Sequence, residues 1–115
     1  MAKKFEELLA WQKSITLTKE IYQKFSFLKD YSFKDQIQRA AVSIPNNIAE
    51  GFERGTRKDF RNFLFIARGS CGEVRNLVYI AKELKYLDNK YFEDINKKCE
   101  EISKILYGLI KSLEK

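Results

Sequence analysis

RKDFRNFLFIARGSCGEVRNLVYIAKELKYL, residues Arg57 to Leu87, decides the fold class. Written as heptads with Phe60 at position a, it places Phe60, Ala67, Val74 and Ala81 at a, and Phe63, Ser70, Leu77 and Leu84 at d. Leu64, Cys71 and Val78 fill the adjoining e positions, and Ile66, Ile80 and Leu87 the g positions. The pattern predicts a long helix over about residues 57–86, with an apolar arc too wide for one seam and therefore buried against more than one neighbour.

Working outward, the chain upstream repeats the helical period. Phe33, Ile37, Ala41, Ile44, Ile48 and Phe52 recur at steps of three and four, a second helix with Ser32 and Asp35 as its capping-box start. Pro45 lies inside this run, where it deletes one backbone hydrogen bond, yet the apolar phase continues across it. A helix kinked at Pro45 is the expected form, since a kink keeps both halves facing one core. Gly51 and Gly55 then loosen the chain before a second capping box, Thr56 with Asp59.

The first helix is expected over about residues 6–26, on the stripe Leu8, Trp11, Ile15, Thr18, Tyr22 and Phe25. Asp88 is the expected N-cap of a fourth, carrying Phe92, Ile95, Cys99, Ile102, Leu106, Leu109 and Leu113. Short connections reverse the chain at each turn, so the economical topology is an all-α, antiparallel up-down-up-down four-helix bundle forming one domain over residues 1–115. Trp11, Ile37, Leu77, Ile95 and Ile102 are expected in its core.

The composition agrees: 44 % hydrophobic and 14 % aromatic residues supply a core, and one proline with five glycines is too few for a loop-rich β fold. No apolar run approaches the roughly 20 residues of a membrane span, and the first residues lack a secretory pattern, so a soluble, cytoplasmic protein is expected. With no histidine the commonest general base and metal ligand are missing, and neither enzymatic activity nor a cofactor or metal is expected. Cys71 and Cys99 sit on apolar stripes and are expected as reduced core thiols. A formal charge of +6 favours acidic partners such as nucleic acid.

Three groups of residues stand out for function. In the heptad frame Arg61, Arg68, Arg75 and Lys82 all occupy b, a line spanning about 32 Å that Arg57 and Lys58 extend, with Phe65, Tyr79 and Tyr86 beside it at f. None of the b cations has an acidic residue three or four positions away to neutralise it. The line is either an ordinary solvated basic face or a track for phosphates with rings for base stacking. Asn46, Asn47, Glu50 and Arg54 form a polar cluster after Pro45, which either repairs the carbonyls the proline frees or contacts a ligand or subunit. Gly69, Ser70, Cys71 and Gly72 make a small-residue patch expected to admit another helix, the alternative being a bound ligand, for which no phosphate-loop pattern speaks; Glu73 beside it is expected to pair with an Arg or Asn across a helix or subunit boundary.

The segment VSIPNNIAEG, Val42 to Gly51, and the pattern FL.IA.GS from Phe63 to Ser70 resemble the four-helix bundle family of bacterial 23S rRNA intervening-sequence proteins. The resemblance extends over nearly the whole chain and implies a homopentameric barrel without catalytic residues. Similarity to the accessory variability proteins of diversity-generating retroelements implies the same assembly, with nucleic acid and a reverse transcriptase as partners. The expected function is a non-enzymatic, oligomeric accessory protein that binds RNA, or DNA, through its basic helical surface. The alternatives are a protein-interaction scaffold and a reverse-transcriptase accessory subunit.

Overall fold

The computed structural model describes residues 2–114. Four α-helices, α1 (Leu9–Lys24), α2 (Tyr31–Glu53), α3 (Arg57–Glu83) and α4 (Asn89–Ser112), follow a 3-10 turn at Phe5–Glu7. Each helix packs on its neighbour in sequence, and α1 closes the ring against α4. The antiparallel bundle measures 44 × 21 × 19 Å, its length set by α3, whose 27 residues span about 40 Å at 1.5 Å each.

Side-chain caps set three of the helix starts. Thr56 accepts from the Asp59 amide at 3.1 Å and Asp88 from the Tyr91 amide at 2.9 Å, as expected. The start of α2 differs: its cap is Asp30, which accepts from Phe33 N–H at 3.1 Å, and Ser32 lies inside the first turn. The second carboxylate oxygen of Asp30 accepts from the Tyr86 hydroxyl at 2.8 Å, joining the α1–α2 and α3–α4 connections. Neutral tyrosine is the donor there, so this hydrogen bond raises the Tyr86 pKa.

Ile37, Ala41, Ile44 and Ile48 of α2, Leu64, Ala67, Val74 and Leu77 of α3, and Ile95, Ile102 and Leu106 of α4 fill the core. Truncating one of the buried isoleucines to Ala costs about 2–5 kcal/mol. Phe25 is buried as expected and Leu8 packs against the core, but the middle of α1 turns an adjoining face inward. Ala10, Ser14, Leu17 and Ile21 are buried, Trp11 is half-buried, and Ile15 and Tyr22 lie exposed. The two stripes sit 100° apart on the helix, and the small Ala10 and Ser14 let α1 lie close to its neighbours.

The helix α2 runs unbroken through Pro45, whose ring is buried. Pro45 has no N–H for the Ala41 carbonyl, and the Thr18 hydroxyl of α1 reaches that oxygen at 3.2 Å while also lying 2.8 Å from the Ser14 carbonyl. The freed carbonyl is therefore reached from α1, by a hydroxyl whose one proton it shares with the Ser14 carbonyl, and not from the asparagines after the proline. Gly51, expected to loosen the chain, is a buried helical residue: a Cβ there would lie 2.5 Å from Cβ of Phe63, so it permits a close approach of α2 and α3.

Candidate nucleic-acid interface

In the heptad frame of α3, e and b turn toward α4, while d and g turn toward α2. The expected basic line is therefore the α3 side of a seam with α4. Arg61 lies 3.5 Å from Glu114, and Arg75 lies 3.3 Å from Glu100 while its Nε donates to Asn96 at 2.9 Å. Between them, Arg68 donates from Nε to Ser103 Oγ at 3.3 Å and stacks 4.8 Å over the Tyr107 ring. Lys82 stands 4.4 Å over the Phe92 ring, Arg57 donates to the Ser112 carbonyl at the C-terminus of α4, and Lys58 is exposed. Steps of seven up α3 meet Glu114, Tyr107 and Glu100 going down α4, the register of antiparallel neighbours.

The sequence reading did not identify the α4 side of this seam. Asn96, Glu100, Ser103 and Tyr107 lie on one polar stripe of α4, with Glu114 just beyond its C-cap, and the 4-3-4 spacing of the first four was the available signal. The b cations thus have no acidic neighbour on their own helix, but two of them find one on the next. Exposed ion pairs of this kind contribute roughly 0–1 kcal/mol each and leave much of the charge facing solvent. The Nε of Arg61 is buried without a hydrogen-bond partner among the described residues.

The seam opens at its middle into a shallow groove of about 340 Å³, lined by Phe65, Arg68, Gly69, Gly72, Arg75 and Ser103. A Cβ built on Gly69 or Gly72 would meet nothing within 4 Å. Gly69 and Gly72 therefore admit no helix among the described residues, contrary to expectation. Only the inward pair of the small-residue patch is packed: Ser70, whose hydroxyl meets that of Ser43 at 2.8 Å, and Cys71. Burial pushes the Cys71 and Cys99 thiols up to about 12, which keeps both protonated and unreactive at neutral pH.

The polar cluster of α2 divides. Glu50 and Arg54 pair at 3.1 Å, with Arg54 also over the Phe63 ring. Asn47 donates to the carbonyl and hydroxyl of Ser43 at 2.7 and 2.9 Å, while Asn46 is exposed in a second open groove with Tyr22 and Arg39. Glu73 is exposed and has no ion pair among the described residues. A larger groove on α4, about 640 Å³, carries both signs of charge, and its Lys98 is occupied by Glu20 and Asp94. Among the described residues no helix is long and apolar enough to cross a membrane, and no group of three or more His, Cys, Asp or Glu could hold a metal ion.

Fold and surface define the class first: an antiparallel four-helix bundle with a basic interhelical seam. The family follows from comparison with known proteins, because the model of the 23S rRNA-intervening sequence protein family matches residues 6–108 and the chain belongs to that family. A crystal structure of a protein of unknown function from the S23 ribosomal protein family, from Bacteroides thetaiotaomicron VPI-5482, superposes with a TM-score of 0.83 at 29 % identity. The match covers 90 % of this chain and 96 % of the other. No curated protein matches the sequence significantly. Neither description names a reaction.

Proposed function

We propose that this protein is a non-enzymatic, oligomeric accessory protein that binds RNA through the α3/α4 seam. The observation that carries this reading is the alignment of Arg57, Lys58, Arg61, Arg68, Arg75 and Lys82 along one flank of the longest helix, on a chain of formal charge +6. Phosphate contacts of this kind position a polyanion without reading its sequence.

The opposite flank of α3 supports assembly. Ile66 is 52 % exposed, Ile80 39 % and Leu84 50 %, and they line the α2 side of the helix, away from the cations. Exposed apolar side chains along one flank, above and below the exposed Glu73, support a surface that a second copy would cover, and the family resemblance favours five copies. Five copies would carry a formal charge of about +30 without burying the seam.

Fluorescence anisotropy with a labelled RNA, read across a salt series, tests the reading. Binding should weaken steeply from 50 to 200 mM salt, in proportion to the counterions released. Absence of binding at low salt, or an affinity indifferent to salt, overturns it. Capture of an acidic protein with no binding of RNA at low salt would favour the scaffold reading instead.

A further inference from the structure

The cations of the seam are not equivalent. At the register level of Arg75, α4 supplies Glu100, and at that of Arg61 the residue just beyond its end, Glu114, takes the same part; at the level of Arg68 α4 supplies the ring of Tyr107. Arg68 consequently has no carboxylate within ion-pair distance among the described residues. Its posture is nonetheless held, by Nε on Ser103 Oγ along one edge and by Tyr107 against one face. Both terminal nitrogens lack a hydrogen-bond partner among the described residues. A guanidinium fixed by its inner edge, with its outer fork free, is pre-organised for a bidentate oxyanion.

The groove beside it has the matching shape. Its floor is backbone at Gly69 and Gly72, and no side chain of this protein fills the space a Cβ would enter. Each glycine costs an exposed helix roughly 1 kcal/mol against alanine, and no contact within the chain repays that cost. A bare helix surface lets a ligand approach the backbone more closely than any other residue type would. The groove is shallow and holds about 340 Å³, room for a nucleotide unit but not for enclosing a duplex, and Phe65 offers an aromatic wall.

We propose that Arg68 holds a backbone phosphodiester of single-stranded nucleic acid, seated over Gly69 and Gly72. Arg61 and Arg75 act chiefly as ties to α4 and contribute long-range charge. This assignment rests on the proposed function and narrows it, from a uniform basic line to one seat per chain.

The test measures binding of a ten-nucleotide oligo(U) RNA, its DNA counterpart and inorganic phosphate to the full chain and to three variants. Arg68→Gln should weaken oligonucleotide binding about tenfold or more. Gly72→Leu should do the same by filling the floor, though it removes no charge and its better helix propensity leaves thermal stability at or above the parent's. Arg39→Gln, a charge-matched control on α2 whose partner is the exposed Asp35, should change affinity less than about twofold. If the parent binds and either Arg68→Gln or Gly72→Leu binds within twofold of it, the seat is wrong while RNA binding through the protein's charge stands. If the parent binds neither oligonucleotide at low salt, the functional reading fails and the seat fails with it. Inorganic phosphate competing as strongly as the oligonucleotide would make the ligand a small anion and overturn the polymer assignment. Equal affinity for RNA and DNA, with both lost in the two variants, supports a seat that reads phosphate alone.

Discussion

A proline inside a helix removes one donor, and in α2 the missing bond is supplied by a different helix. The Ala41 carbonyl, which residue 45 would normally serve, lies 3.2 Å from the Thr18 hydroxyl. Thr18→Ala should therefore cost about 1–3 kcal/mol, the penalty for leaving a buried carbonyl unpaired. In a Pro45→Ala background the restored N–H can bond Ala41, and the same Thr18→Ala change should cost distinctly less. Urea denaturation of the four proteins gives the coupling, and equal costs in both backgrounds would show that Thr18 does not serve this carbonyl. Thr18 was legible only as one member of an apolar stripe, because a pattern on one helix cannot show which atoms of the next helix lie opposite.

At the scale of elements, α2, α3 and α4 were readable because large aliphatic residues repeat on one face with polar residues opposite. Helix α1 misled: its large residues Ile15 and Tyr22 form a stripe beside the one the fold buries, and small Ala10 and Ser14 carry no periodic signal. The basic line was legible for the same reason, yet its ties were not, since position b lies at the flank and an arginine there is long enough to reach α4. A further tie joins α1 to α4, where Lys98 lies 2.8 Å from Glu20 and 3.1 Å from Asp94. The Glu20 hydrogen bond, with a smaller share from Asp94, raises Lys98 above its ordinary 10.5, while Lys98 lowers Asp94 below 3.8. The depressed Asp94 stabilises the fold at pH values above about 4, and that contribution is lost as pH falls through its lowered value. The raised Lys98 stabilises the fold below about pH 10.5, and its share is lost as pH rises through its elevated value. Lys98→Met should thus destabilise the protein at pH 7, with the difference from the parent shrinking toward pH 2. Thermal melts across that range check it, and a difference constant with pH would remove charge from the account.

The molecule as a whole presents two unlike flanks on one helix, and this separation would let the proposed assembly form without covering its charge. Cations tied to α4 occupy one side of α3, while Ile66, Ile80 and Leu84 occupy the other. Leaving three such side chains in water forgoes a share of the roughly 1.5–3 kcal/mol that full burial of each would contribute. A contact between copies recovers it, and repeated around a closed ring the gain is multiplied by the number of subunits. Ile66→Asp with Ile80→Asp should therefore reduce the mass measured by light scattering at micromolar concentration toward that of a single 13.6 kDa chain, with helical content retained because neither position is buried within the bundle. Arg68→Gln should leave the mass unchanged, since its flank lies away from the contact. A parent that is monomeric at that concentration contradicts the assembly, and a double variant that keeps the parent's mass places the contact on another face. If the uncharged pair Ile66→Ser with Ile80→Ser dissociates the protein and also loses affinity for RNA, the charge of several copies acts together on one polyanion, because neither the seam nor the net charge of the chain has changed.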